Sequence, residues 1–414
     1  MYVLPFFSYR QVADGVVLTN HITKRQAVAG WDAVETLAAI HEAPSAAITP
    51  PAVAEELEIV FADRDQANRW LDSGPSRQAG RLPKIEQIEL TNRCPYTCKM
   101  CPRTFEMDRG LGDMSLELFD SIMRQVSGST TFCALHHFGE SLLHKGVGEA
   151  IAIALGHGVR TGLSCNPPSL LPARAEAVLK AGIANMVLSL DSLDPEVYKS
   201  IRGRAARLDV ADRNLRELVR MRDEGGYDTN LTLQMISMHA NGNEAARFLA
   251  YCEELGVDRG VVIRLERWDF EDDLVAELGE HTSPGYTEPC TRPWNSVAIL
   301  WDGRVVPCCH DYNGEMVLGD LRQESLEEIW AKPVSREFRE RNTEMAICAK
   351  CAFGQSFREM RREKEKFHRF HREIARPGGD RWEWFNPRLH DTSKPRTFYD
   401  GFDVLPAEHH EVGA

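Results

Sequence analysis

The run Leu90-Thr91-Asn92-Arg93-Cys94-Pro95-Tyr96-Thr97-Cys98-Lys99-Met100-Cys101 follows a short apolar segment, Ile85 to Leu90, and sets three cysteines in the pattern Cys-x3-Cys-x2-Cys. Three thiolates packed into eight residues can all face one soft metal centre, and thiolates select zinc or iron–sulfur clusters over hard cations. A zinc site normally needs a fourth protein ligand to close its tetrahedron, and none lies nearby in sequence. A cubane cluster held by three cysteines instead leaves one iron open, free to chelate a substrate or cofactor.

The chain around this motif has 414 residues, which suits two or three domains and buries a substantial core. Its 62 acidic residues outnumber 49 basic ones, and the net charge of -13 argues against nucleic-acid or anionic-membrane partners. No apolar run is long enough to span a bilayer, and the start, Met1-Tyr2-Val3-Leu4-Pro5-Phe6-Phe7, lacks the basic region and cleavage site of a signal peptide. The 11 cysteines are therefore read as reduced and cytoplasmic, which favours metal binding over disulfides.

From Ile85 the chain alternates strand and helix. Strands are expected at 85–90, 132–138, 159–165, 185–190, 230–236 and 260–265, with helices at 116–126, 146–155, 173–181, 195–202 with 210–224, and 244–255. Six such units imply an α/β fold with a parallel sheet, because parallel neighbours need crossover helices. Ahead of it, residues 1–82 form a region of their own. Two short strands, 16–19 and 25–29, are followed by helices at 33–41, 53–62 and 65–71 and a Gly/Ser/Arg linker at 73–81.

The cysteine motif resembles the cluster-binding signature of the radical S-adenosylmethionine (radical SAM) enzymes, and the six βα units match that family's partial (βα)6 TIM-type barrel. In that family the open iron binds S-adenosylmethionine, and electron transfer cleaves it to a 5′-deoxyadenosyl radical. The resemblance implies one SAM-binding [4Fe–4S] cluster on Cys94, Cys98 and Cys101 and an external electron donor such as flavodoxin or ferredoxin. It carries over further residues one at a time. Phe138-Gly139-Glu140-Ser141 is similar to the family's Gly-Gly-Glu motif, with one glycine kept, so Glu140 is the expected partner of the methionine ammonium. Cys165-Asn166-Pro167 stands where the family has an Asn-bearing turn near the ribose, with Pro167 in place of the usual glycine. Ser189 in Ser-Leu-Asp and Arg202 in Ile-Arg-Gly resemble the pair that holds the methionine carboxylate, and Gln234 on the fifth strand is a further SAM-site candidate.

Past Pro284 and Pro289 the spacing Cys290-x17-Cys308-x39-Cys348-x2-Cys351 would close a zinc or a cubane equally well by count. The segment from Val297 to Cys308 reads as a β-hairpin turning at Asp302-Gly303, and 326–339 as a helix. Gly303-x4-Cys308, Leu318-Gly319-Asp320-Leu321 and Ser325-Leu326-Glu327-Glu328-Ile329-Trp330 resemble the SPASM domain, or its short form Twitch. That resemblance implies an auxiliary [4Fe–4S] cluster on Cys290, Cys308, Cys348 and Cys351, with Cys309 the competitor of Cys308. The expected organisation is therefore a winged-helix-like region at 1–82, the barrel at 83–285, the Twitch/SPASM module at 286–355, and a charged helix with a tail at 356–414.

A radical SAM centre beside a fully ligated auxiliary cluster resembles the radical SAM alcohol dehydrogenases of aminocyclitol antibiotic biosynthesis. The first expectation is an oxidoreductase that oxidises a secondary alcohol of a sugar or aminocyclitol to a ketone. Arg264 and Glu266, at the end of the sixth strand, and His239, after the fifth, are the expected catalytic residues: Arg264 to stabilise a developing oxyanion, Glu266 or His239 to take the proton. The alternative is modification of a ribosomally made peptide, by epimerisation, thioether formation or carbon–carbon crosslinking, recognised through the N-terminal region. A reading of a different class is a non-catalytic zinc protein that uses both cysteine sets structurally.

Overall fold

The structure is a computed structural model that describes residues 1–4, 7–12, 15–20, 23, 25–43, 48–73, 82–265, 278, 292–341, 345–350 and 382–385. The N-terminal part runs β1 (Tyr2–Val3), β2 (Phe7–Val12), β3 (Gly15–Asn20), β4 (Gln26–Ala29), α1 (Trp31–Glu42), α2 (Ala52–Glu56), β5 (Val60–Phe61) and α3 (Arg64–Ser73). β2, β3 and β4 make an antiparallel sheet, and β1 pairs with β5. Phe7, Tyr9, Val16 and Leu18 pack on Val34, Leu37 and Ile40 of α1, which gives this part a hydrophobic cluster of its own. The expected strands at 16–19 and 25–29 are present, but β2 is an additional strand. The helix expected at 53–62 stops at Glu56, because the chain turns at Leu57 and Glu58, where Glu58 has φ 57°, and continues as β5.

Beyond Leu82 the expected alternation appears as β6 (Lys84–Ile88), α4 (Pro102–Phe105), α5 (Leu116–Val126), β7 (Phe132–Ala134), α6 (Val147–Gly156), β8 (Arg160–Cys165), α7 (Pro172–Lys180), β9 (Asn185–Ser189), α8 (Pro195–Arg202), α9 (Leu208–Gly225), β10 (Asn230–Ser237), α10 (Ala245–Leu255) and β11 (Arg259–Arg264). β6 to β11 pair in sequence order and all in parallel. β7 is shorter than the expected 132–138: Leu135 N still donates to Gly162 O, but from His136 the chain bends into the turn that carries Gly139 and Glu140.

Residue parity decides the two faces of this sheet. Cys133, Leu135, Leu163, Met186, Leu188, Leu231, Leu233 and Met235 join Phe119, Ile122, Ile151, Val178 and Leu215 of the helices in the main core. The alternate positions, including Ala134, Gly162, Ser164, Asn185, Val187, Ser189, Thr232 and Gln234, line the concave face.

The sheet does not stop at the barrel. After α11 (Arg292–Asn295), β12 (Ser296–Ile299) pairs in parallel with β6, β13 (Arg304–Val306) pairs antiparallel with β12, and β14 (Gly319–Asp320) with β13. With β15 (Trp382–Phe385) antiparallel on β11, the order is β14-β13-β12-β6-β7-β8-β9-β10-β11-β15. The expected hairpin is therefore present, but as an extension of the barrel sheet rather than a separate layer. The buried Glu86 fixes this junction, accepting from Arg292 Nε at 3.0 Å and Ser296 Oγ at 3.4 Å. The helix expected at 326–339 is two helices, α12 (Leu326–Ala331) and α13 (Pro333–Arg341), followed by α14 (Ala346–Lys350). Pro333 cannot continue α12 but suits the first turn of α13. Pro284, Pro289 and the helix expected at 357–374 lie outside the described residues. No helix among the described residues is long and apolar enough to cross a membrane.

Phe119, fully buried on α5 against the sheet, tests the helix–sheet packing. Phe119→Ala is expected to cost about 3–5 kcal/mol, read as a lowered urea midpoint; a loss under 1 kcal/mol would contradict the packing described here.

Candidate active site at the barrel mouth

The cysteine loop is held from three sides. Below, Asn92 accepts from Gly112 N at 2.9 Å and donates to Gly110 O at 2.9 Å, so the strand exit is tied to the segment that follows the motif. Arg103 Nε donates to Asn92 O at 2.6 Å, closing the loop on itself. On the far side the loop lies on the last turn of α8: Thr97 N donates to Arg202 O at 3.2 Å and Lys99 N to Ile201 O at 2.9 Å. Helix C-termini leave carbonyls without intrahelical partners, and here the loop amides take two of them. Asp194 caps the start of α8, accepting from Glu196 N at 2.9 Å and Val197 N at 3.0 Å, and Pro195 sits at its first position. Gly203 ends it with φ 84°, and a Cβ there would stand 2.1 Å from Thr97 Oγ1.

Cys94, Cys98 and Cys101 are free thiols. Burial pushes Cys94 up to about 11 and Cys98 up to about 12, and raises Cys101 as well. All three therefore hold their protons near neutral pH, and a metal centre would displace them as it binds. No group of three or more Cys, His, Asp or Glu side chains among the described residues converges on the volume of a single ion. The three-thiol set has the donor chemistry that a cubane requires, in which each thiolate ligates a different iron.

Next to the loop the expected cofactor residues come together as one hydrogen-bonded chain. Glu140 is fully buried, and its carboxylate accepts from Asn166 N at 2.9 Å, Asn166 Nδ2 at 3.0 Å and Leu142 N at 3.4 Å. Burial raises its pKa, and the Asn166 donations pull the other way. Asn166 Oδ1 accepts from Arg202 Nη1 at 2.6 Å, and Arg202 Nε donates to Asp191 Oδ2 at 2.5 Å. Burial works against the Arg202 charge, but Asp191, Cys98 and Tyr198 hold its pKa above the ordinary arginine value. The single glycine kept before Glu140 has a physical reason: Gly139 has φ 115°, and a Cβ would lie 2.2 Å from Thr91 O. Ser189 and Gln234 face each other in register across β9 and β10, both buried, and Gln234 Oε1 has no hydrogen-bond partner among the described residues.

The expected catalytic residues are placed differently. His239 is exposed in the turn after β10, where its backbone N donates to Leu278 O at 2.9 Å, and it is not joined to the Glu140–Asn166–Arg202 chain. Arg264 closes β11 opposite Ser237, and its side chain, like Glu266, lies outside the described residues. Of the expected auxiliary cysteines, Cys308 is half-buried after β13 and Cys348 half-buried in α14, while Cys290 and Cys351 lie outside the described residues.

Sequence reasoning missed a second buried network that joins the two cysteine regions. Glu89, at the exit of β6, is gripped by both terminal nitrogens of Arg109, Nη1 at 2.6 Å from Oε2, and accepts from Trp301 N at 3.2 Å and Phe138 N at 3.3 Å. Arg109 Nε also reaches Tyr312 O. His137 Nε2 lies 3.0 Å from Cys309 O, and burial lowers its pKa to about 3, so it is neutral near pH 7. Asp191 was visible in the same Ser-Leu-Asp run as Ser189. Glu89 and Arg109 gave no signal: they pair across 20 residues without a motif, and Trp301 and Tyr312, which complete the network, stand 212 and 203 residues away.

Two outcomes test this geometry. Gly203→Ala is expected to push the loop off α8, lowering iron and sulfide uptake on anaerobic reconstitution while the circular dichroism spectrum stays native; full loading would refute the clamp. Arg109→Ala leaves Glu89 buried and unpaired, at a cost of about 3–5 kcal/mol. Adding Glu89→Leu to Arg109→Met should recover part of that loss in a thermal melt but not all, since Trp301 N and Phe138 N lose their acceptor.

Comparison with known proteins agrees with these features. Residues 88–259 match the radical SAM superfamily, and residues 290–352 match the SPASM iron–sulfur cluster-binding domain. A PqqA peptide cyclase from Granulibacter bethesdensis is 24% identical over 300 residues, covering 64% of this chain and 78% of its own. An S-adenosyl-L-methionine-dependent 2-deoxy-scyllo-inosamine dehydrogenase from Niallia circulans is 19% identical, covering 63% of this chain and 86% of its own. The crystal structure of Streptococcus suis SuiB bound to precursor peptide SuiA aligns over 85% of this chain and 93% of its own with a TM-score of 0.54, and at 13% identity the likeness is one of fold. The chain belongs to the radical SAM superfamily: it is an enzyme with a radical SAM barrel and a C-terminal SPASM domain, working with S-adenosylmethionine and [4Fe–4S] clusters.

Proposed function

We propose that this enzyme modifies a ribosomally made peptide, which it holds through the N-terminal part. The observation that carries the reading is the outer edge of β4. Asn20 N bonds Arg25 O at 3.0 Å, so alternation makes Leu18–Ala27 the next hydrogen-bonded pair and turns the amide groups of Gln26 and Val28 away from β3. Among the described residues no strand pairs on that side. The edge is flanked by the exposed Val28 and Trp31 and is suited to accept an extended peptide as an added strand. The peptide cyclase relatives and the peptide-bound SuiB fold, whose alignment extends over most of the chain, support the same reading.

Within the barrel, Glu140 would take the methionine ammonium, Arg202 with Ser189 the carboxylate, and Asn166 the ribose side, while Cys94, Cys98 and Cys101 would hold the cluster. When bound, that cluster would supply an electron for reductive cleavage of S-adenosylmethionine, and an auxiliary cluster on Cys290, Cys308, Cys348 and Cys351 would supply an electron acceptor. The Asp191 and Asn166 bonds fix the Arg202 guanidinium before any ligand arrives, so little ordering is left to occur on binding. Ser164, Thr232 and Gln234 on the concave face present neutral hydrogen-bonding groups to the target.

A second reading, oxidation of a secondary alcohol on a sugar or aminocyclitol, is favoured by the Niallia circulans relative and by that same neutral polar lining. The two separate in one experiment. The reconstituted full-length enzyme is given S-adenosylmethionine, a reductant and either candidate precursor peptides, taken from short reading frames near its gene, or a panel of aminocyclitols. Peptide modification predicts 5′-deoxyadenosine formed in step with a peptide losing two hydrogens per link. Val28→Pro should weaken peptide binding at least tenfold and leave peptide-free cleavage of S-adenosylmethionine unchanged. Turnover of an aminocyclitol with no change in the peptide would overturn the proposal in favour of the second reading.

A further inference from the structure

Buried polar groups in folded proteins are almost always paired, because an unmade hydrogen bond leaves the full desolvation penalty in place. Tyr198 departs from this. Its side chain is 0% exposed, and its hydroxyl has no hydrogen-bond partner among the described residues. Tyr96, in the same chamber, shows the ordinary arrangement: its hydroxyl shares a hydrogen bond with Ser169 Oγ at 3.0 Å.

The position of Tyr198 on α8 identifies the missing partner. It stands four residues before Arg202, and residues so spaced project from one helix face. The end of that helix is the surface on which the cysteine loop rests, through the Thr97–Arg202 and Lys99–Ile201 backbone bonds. Cys98 lies between those two loop residues, and Arg202 continues into the chain of Asp191, Asn166 and Glu140, so this helix face borders the cluster and cofactor chamber. Among the described residues neither carboxylate accepts from the hydroxyl, and no cysteine sulfur of the loop does. The partner left for the hydroxyl is the group that this chamber binds.

We propose that Tyr198 donates its hydroxyl proton to a sulfur of the centre held by Cys94, Cys98 and Cys101, and thereby sets how readily that centre accepts an electron. The proposal rests on those three cysteines being the cluster ligands. Sulfur carries more negative charge in the reduced state, so a hydrogen bond to it stabilises that state and raises the potential, the more so where water is excluded. Tyr198 acts through the centre and touches no substrate, so it is a positioning and tuning residue rather than a catalytic one.

The test is an anaerobic redox titration of reconstituted full-length Tyr198→Phe, followed by electron paramagnetic resonance. The relevant signal is the one that changes on adding S-adenosylmethionine. Phenylalanine keeps the ring and its packing, so wild-type iron and sulfide content is expected. The reduction equilibrium should move about tenfold toward the oxidised form, equivalent to about 59 mV for one electron, with the affinity for S-adenosylmethionine unchanged. A wild-type potential at full loading would overturn the proposal, and a weakened S-adenosylmethionine affinity at that potential would make the cofactor the partner instead. A Tyr198→Leu enzyme must show the same shift if the hydroxyl is responsible. Retention of the S-adenosylmethionine-responsive signal in Cys98→Ala would defeat the three-cysteine assignment itself, an outcome separate from failure of the tyrosine.

Discussion

Two backbone hydrogen bonds, Thr97 N to Arg202 O and Lys99 N to Ile201 O, tie the cysteine loop to the end of α8, and the rest of the barrel mouth is arranged around that contact. A loop of eight residues carrying three cysteines has no regular structure to hold it, so its shape must come from outside. The helix end supplies acceptors for the loop amides on one side, and the Asn92 amide fixes the opposite side. Because Arg202 belongs to the same helix turn, the clamp also fixes the one buried guanidinium in hydrogen-bond reach of both Asn166 and Asp191. Cluster loop and cofactor residues are thus positioned by one element, and displacing α8 would disturb both.

Charge is handled differently at the two cysteine regions. Around Arg202 the buried groups form a chain, Glu140–Asn166–Arg202–Asp191, in which Asp191 pairs with the guanidinium directly and the Asn166 amide separates it from Glu140. Such a spacer lets Glu140 retain unspent acceptor capacity, as a residue awaiting a cationic ligand requires. Around Glu89 the acid and base meet directly, and the pair is saturated by backbone donors from Phe138 and Trp301. The first arrangement is built for a guest. The second is a fastening, holding the segment around Cys308 and Cys309 to the segment that follows Cys101.

Much of this was legible in the sequence where the signal is local. The helices at 116–126 and 195–202 follow from their periodicity, and the cysteine motif points by its spacing to a soft metal centre. Glu140, Asn166 and Arg202 were named from the resemblance behind the cysteine motif, and the fold brings the three into one hydrogen-bonded chain. What escaped depends on long-range contacts. β12 is indistinguishable by pattern from an independent hairpin strand, and nothing local tells that it pairs with β6. Glu89 and Arg109 read as ordinary surface charges until the fold buries them together. His239 was chosen from its place after a strand, and an exposed turn is what such a place most often gives.

The pairing of β6 with β12 also bears on how the chain is made. Glu86 and Ser296, which meet at that junction, are 210 residues apart, so the first barrel strand keeps one edge unpaired until nearly three-quarters of the polypeptide has been synthesised. Contacts of such separation form late and slowly, and an open parallel strand meanwhile invites association with other chains. The antiparallel hairpin that leads to Cys308 is therefore also the barrel's edge cap, and placement of that cysteine and completion of the sheet become a single folding event.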